Sequence, residues 1–211
     1  MDEKDRLGDM KNGLKEGQRD KLEMIRQILD ELESEDMNSE TRKKLVEIFL
    51  KQVEDFANFD HLREARAGKP EAIYAEGKNP EEIVKIVKES LKVLDGILIT
   101  RANENQIKAI LDAFPDTFVN ERSGTVIVGK KRRKIGKVAI LTAGTSDIRV
   151  AEEAATTAEF LGLEVLRFYD VGIAGLHRLI NPLKEILSSE VDSVIVVAGM
   201  EGALPSVVAG I

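Results

Sequence analysis

The chain has 211 residues, 38 acidic against 31 basic, and 43% hydrophobic residues, enough to bury the core of one large domain or two small ones. The acidic balance argues against nucleic acid and leaves a small molecule as the expected partner. Zero cysteines and two histidines exclude disulfides, thiolate metal sites and a Cys nucleophile within these residues, so any metal would be oxygen-ligated.

At the start, MDEKDRLGDMKNGLKEGQRDK is too charged for a signal peptide, and no apolar run approaches the ~20 residues of a bilayer span. These features predict a cytoplasmic protein with no membrane partner. Leu22, Ile25, Ile28, Leu29 and Leu32 keep helical spacing, and Leu45, Ile48, Phe49, Val53 and Phe56 repeat it after Ser39, a candidate N-cap. Residues 1–57 are therefore expected as N-terminal helices. A third helix is predicted from Pro80 through Leu94. GILIT (Gly96 to Thr100) then reads as a strand, NENQIKAILDAFP as a helix stopped by Pro115, and GTVIVG as another strand. Together with the basic run GKKRRK (Gly129 to Lys134), residues 58–134 form an α+β module. That run is either a phosphate patch or a solvated connector; no aromatic interleaves it, which favours the connector.

From residue 135 the rhythm becomes strand, helix, strand: KVAILT, a helix from Ile148 to Leu161, EVLRFYD, a helix from Gly175 to Leu187, and SVIVVAG. Nearly continuous apolar strands alternating with helices predict an α/β fold with a doubly wound parallel sheet covered on both faces. LPSVVAGI opens a further helix. Three strands stand where about five are usual, so residues 135–211 read as the first part of such a domain, with a C-terminal remainder expected and an apolar edge exposed in the chain as given.

Ligands of open parallel sheets sit beyond the carboxyl ends of the strands. The three loops there are TAGTSD, YDVGIAGLHR and AGMEGALP. Small residues let backbone N–H groups approach a ligand, and helix N-termini favour anions. Gly144, Thr145, Ser146, Asp147, Gly175, Arg178, Gly199 and Gly202 are the candidate substrate-binding residues, and Asp170, His177 and Glu201 the candidate catalytic ones. Each has a plainer alternative. Gly and Ser are ordinary turn residues, His177 is either a proton carrier or a capping group at a helix start, and Met200 is a packing residue. Tyr169 either stacks on a ring or has a satisfied hydroxyl.

GTSD, GLHR and AGMEGALP resemble motifs of the aminoimidazole ribonucleotide carboxylase superfamily, whose Gly-Ser-x-Ser-Asp loop and Ser-Ala-His-Arg segment build a nucleotide site. Upstream, FDHLREARAGKPEAIYAEGK (Phe59 to Lys78) resembles the N-terminal signature of one branch, the LarB family of pyridinium biscarboxylic acid mononucleotide synthases in nickel-pincer nucleotide cofactor biosynthesis. Purine-pathway carboxylases lack that segment, and TAGTSDIRVAEEA is also the form the loop takes in the LarB branch. The resemblance spans Phe59 to Ile211.

It implies carboxylation of the pyridinium ring of nicotinic acid adenine dinucleotide with CO2, and hydrolysis of its phosphoanhydride to release AMP. Under it, Ser146 and the helix N-termini meet phosphates, Arg178 a phosphate or carboxylate, and Asp147 ribose hydroxyls or water. Glu201 becomes the candidate base. Mg²⁺, held by Asp170 or Glu201, is the candidate cofactor, with no organic cofactor. Asp60, Arg63 and Arg66 become candidates for the substrate or for the join between modules. The superfamily also implies a homo-oligomer. One departure stands out: the family activates the pyridinium by transient thiolate addition, and no cysteine is present here. A purine-type carboxylase or mutase, and a nucleotide-binding fragment without activity, are the alternative functions.

Overall fold

Residues 51–53, 57–60, 63 and 68–211 are described by the computed structural model. Contacts divide the chain into two units, Met1–Pro70 and Glu71–Ile211. The first predicted helix and Arg66 lie outside the described residues.

In the first unit, β1 (Lys51–Val53) pairs antiparallel with β2 (Ala57–Phe59), Lys51 opposite Phe59. This corrects the second predicted helix at Val53 alone; its residues up to Leu50, and Phe56, lie outside the described residues. Short apolar runs fit either period, and β-branched and aromatic residues there tip the balance toward strand.

The second unit opens with a four-stranded sheet of order β3-β4-β6-β5. β3 (Ala72–Tyr74) runs parallel to β4 (Gly96–Thr100), whereas β6 (Thr125–Gly129) is antiparallel to both β4 and β5 (Phe118–Asn120). The three-residue strands β3 and β5 escaped the sequence reading because so few residues display no period. Helix α1 (Pro80–Ser90) begins at the N-cap Asn79, whose N–H donates to Glu82 Oε2 at 2.9 Å. It stops four residues short of the predicted Leu94. Helix α2 (Glu104–Ala113) begins at Asn103, whose side chain accepts from the Gln106 N–H at 3.0 Å, the reciprocal cap expected of Asn at that position. Gln106 is buried, and its amide donates to the carbonyls of Ala75 and Lys78 at 2.8 and 2.7 Å. A buried polar group thus satisfies its own donors while fixing the loop after β3.

Beyond it lies a parallel sheet of order β8-β7-β9: β7 (Gly136–Thr142) in the middle, β8 (Leu163–Phe168) and β9 (Ser193–Val197) beside it. Side chains of β7 alternate between two apolar layers. Val138 and Ile140 pack with Ala151, Ala155 and Ala158 of α3 (Ile148–Phe160). Ala139 and Leu141 pack with Ile186 of α4 (Ile180–Ser188) and Leu204 of α5 (Ala203–Ala209). Helices therefore cover both faces, as the continuous apolar strand predicts. β9 is the outer strand here, with Val194 and Ile195 exposed.

Helix α3 also joins the two sheets. Phe160 is buried against Leu98 and Ile127, Arg101 pairs with Glu153 at 2.7 Å, and Asn120 donates to Glu152 and Thr156 at 2.5 and 2.9 Å. The basic run behaves as a connector. Lys131 pairs with Glu159 at 3.3 Å and lies 4.3 Å over the Phe118 ring, and Lys134 pairs with Glu164. No helix among the described residues is long and apolar enough to cross a membrane.

Candidate functional site

The register of the parallel sheet brings the three loops to one edge, with the β7 loop in the middle. The Ala143 N–H donates to the Val197 carbonyl at 2.9 Å on one side, and the Val171 N–H donates to the Thr142 carbonyl at 2.9 Å on the other. The first loop turns through a short 3-10 helix, Thr145–Asp147, directly into α3. Asp147 closes it: Oδ2 accepts from the Gly144 N–H at 2.9 Å. Its other oxygen, Oδ1, lies 3.6 Å from where a Cβ on Gly199 would stand. Thr145 and Ser146 are exposed at the rim.

The second loop is held by Thr142, fully buried, whose Oγ1 accepts from the Asp170 N–H at 3.0 Å. Asp170 sits at φ 56, a left-handed conformation that Asp tolerates better than most residues. Arg178 Nη1 donates to the Asp170 carboxylate at 2.8 Å and to its carbonyl at 3.1 Å. The predicted helix from Gly175 is instead a 3-10 segment, Ile173–Leu179, interrupted at Gly175 and followed by α4. A Cβ on Gly175 would stand 2.7 Å from Arg178 Nε, so glycine there leaves the guanidinium its place. His177 is exposed and makes no hydrogen bond or ion pair among the described residues.

In the third loop, Met200 is fully exposed with φ 46, and Gly202 at φ 61 caps α5. Glu201 is exposed and likewise has no partner among the described residues. Asp60 and Arg63 belong to the first unit, where the Arg63 N–H donates to the Asp60 carbonyl at 3.2 Å.

Behind the loops, Glu152 accepts from the Tyr169 hydroxyl, from Asn120 Nδ2 and, at 3.2 Å, from Arg167 Nε. Burial works to raise the Glu152 carboxyl, but these donors and the Arg167 charge hold it below the usual range. Burial and the bond to Glu152 push the Tyr169 hydroxyl up. Tyr169 is therefore the anchored tyrosine of the plainer reading.

The Asp170 carboxylate is engaged by Arg178, and no three His, Cys, Asp or Glu residues converge among the described residues. Thr142 and Gly172 were not singled out from sequence. A Cβ on Gly172 would stand 2.5 Å from the Ala143 carbonyl, so this glycine lets the first and second loops touch. A threonine ending an apolar strand and a second glycine in VGIAG were the available signals.

A parallel sheet with small-residue loops converging at its carboxyl edge follows a mixed-sheet module, an architecture consistent with an α/β PurE-like fold, and the family match of the mixed-sheet module places the chain in a superfamily with carboxylase-type function. Residues 50–131 match the LarB/PurE-like N-terminal domain. An uncharacterized protein of Methanocaldococcus jannaschii is 40% identical over 198 residues, 88% of this chain and 76% of that protein. The chain belongs to the LarB family.

Proposed function

We propose that these loops bind nicotinic acid adenine dinucleotide for a LarB-type synthase, which carboxylates the pyridinium ring and hydrolyses the phosphoanhydride. The observation that carries this reading is the convergence of Asp147, Arg178 and the small-residue loops on one sheet edge, in a chain of this family.

The chemistry assigns distinct tasks. Carboxylation forms one C–C bond from a ring carbon to CO2 and releases the proton that carbon carried. Glu201, exposed on a glycine-flanked loop, is placed as the acceptor of that proton. Hydrolysis adds water across the anhydride, yielding AMP and the pyridinium mononucleotide. Arg178 takes phosphate oxygens through its planar fork, exchanging its bond to Asp170 for a bond to substrate. Asp170 then faces the incoming water. The free Oδ1 of Asp147 accepts a ribose hydroxyl. Thiolate activation of the ring, implied by the family resemblance, requires a residue type absent from these 211 residues; these loops supply binding, charge placement and proton transfer.

Calorimetric titration tests the binding half directly. The chain should bind nicotinic acid adenine dinucleotide, and Arg178→Gln should weaken binding at least about tenfold, the scale of one charge-assisted hydrogen bond. No heat of binding to the folded chain overturns the reading.

A further inference from the structure

The side chain of Glu152, in α3, is only 13% exposed, and each of its carboxylate oxygens serves a different part of the fold. Oε1 accepts from the Tyr169 hydroxyl and, at 3.2 Å, from Arg167 Nε, both on the side of β8. Oε2 accepts at 2.5 Å from Nδ2 of Asn120, the last residue of β5. The same Nδ2 donates to Thr156 Oγ1 at 2.9 Å, one turn further along α3. Asn120 is in turn fixed by the β5–β6 turn: its carbonyl accepts from the Gly124 N–H at 2.9 Å, and its Oδ1 from the Ser123 N–H at 3.4 Å. A polar chain, Asn120–Glu152–Tyr169, therefore runs from the four-stranded sheet across α3 to the end of β8.

At that end stands the second loop. Tyr169 packs on the α3 face of the parallel sheet with Val138 and Ile140, whereas Phe168 packs on the opposite face. The next residue, Asp170, turns at φ 56, gives its N–H to Thr142 Oγ1 at 3.0 Å and holds Arg178 at 2.8 Å. Tyr169 is thus the anchored side chain immediately before the turn that sets the guanidinium in place. Helix α3 has other anchors on the first sheet, Phe160 against Leu98 and Ile127, and Arg101 paired with Glu153. A largely covered carboxylate is costly without donors, and this one draws them from both sheets. A satisfied network of that kind holds one geometry more firmly than exposed ion pairs do.

We propose that Glu152 is a positioning residue: by joining Asn120 of the first sheet to Tyr169, it sets the turn at Asp170 and so the place of Arg178 in the strand-end site. The first sheet thereby acts on substrate affinity without touching substrate. The effect on affinity rests on the dinucleotide reading of those loops; the effect on the loop itself does not.

The test is calorimetry of the full chain with nicotinic acid adenine dinucleotide, beside amide hydrogen exchange read residue by residue, in Asn120→Ala, Glu152→Gln and the exchanged pair Asn120→Asp/Glu152→Gln. In Glu152→Gln one acceptor oxygen becomes a donor, so one end of the chain is lost; the exchanged pair reverses donor and acceptor and restores it. Each single variant should weaken dinucleotide affinity about fivefold. Each should also speed exchange of the Asp170 amide about tenfold more than that of the Ala143 amide, which bonds to β9 and reports any general loss of stability. The exchanged pair should return both readouts to within about twofold of wild type. Asp170 exchange that follows Ala143 in both single variants, or an exchanged pair no better than either single one, overturns the role. If wild type does not bind the dinucleotide, the substrate reading fails and exchange at Asp170 decides alone: acceleration in the single variants with recovery in the pair keeps Glu152 as the residue that positions the loop.

Discussion

Asp147 and Gly199 face each other across the first and third loops: one carboxylate oxygen holds the Gly144 N–H at 2.9 Å, and the other lies 3.6 Å from the Cβ position of Gly199. The carboxylate has one oxygen for the loop and one for a ligand. Asp147→Asn keeps an acceptor for Gly144 and should leave stability nearly intact while weakening substrate binding. Asp147→Ala loses both functions and should also cost about 0.5–2 kcal/mol of stability, the usual range for a lost cap. Chemical denaturation beside calorimetry separates the two. Equal substrate affinity in Asp147→Asn and wild type would make Asp147 purely a loop former.

Two glycines three residues apart, Gly172 and Gly175, should behave oppositely on substitution. In Gly172→Ala the new methyl meets the Ala143 carbonyl at 2.5 Å, backbone that cannot yield. A loss of about 1–3 kcal/mol is expected. In Gly175→Ala the methyl meets the mobile end of Arg178 at 2.7 Å. Stability should change little, while substrate affinity falls because the guanidinium is displaced. Thermal unfolding of both variants checks the order, and a Gly175→Ala protein that binds as wild type would detach Arg178 from the site.

Glu152 gives a pH dependence with a definite sign. Its folded carboxyl lies below its ordinary value of 4.5, so the unfolded chain binds the proton first as pH falls. The stability this carboxylate contributes is present above about pH 4.5 and is lost as pH drops through the lower folded value. Glu152→Gln should be less stable than wild type at neutral pH, by about 1–3 kcal/mol, and the gap should narrow in acid. Urea unfolding at pH 7 and below pH 4 measures it; a gap that widens in acid contradicts the assignment.

Glu201 has no partner to lose among the described residues, so Glu201→Gln should unfold at the wild-type temperature. The same substitution should depress turnover, because the amide cannot take a proton. An unaltered rate with unaltered stability removes Glu201 from the reaction.

Legibility in the sequence followed the length and burial of each segment. The strand Gly136–Thr142 and helix Ile148–Phe160 were plain because seven apolar-rich residues and a 13-residue amphipathic run display their periods. Ala72–Tyr74 and Phe118–Asn120 are three residues each and exist by pairing with longer neighbours, which no local pattern records. The strand-end loops were found from composition and position. What composition could not supply was which polar groups spend their bonds on the fold. Tyr169 is tied to Glu152, Asp170 to Arg178, and one oxygen of Asp147 to Gly144.

The most direct measurement is product analysis of the protein with nicotinic acid adenine dinucleotide and isotopically labelled bicarbonate. Labelled carboxylate should appear on the pyridinium mononucleotide, with AMP released in equal amount. Unchanged dinucleotide, together with carboxylation of aminoimidazole ribonucleotide by the same protein, would contradict a LarB-type reaction and assign the loops to the purine-type branch.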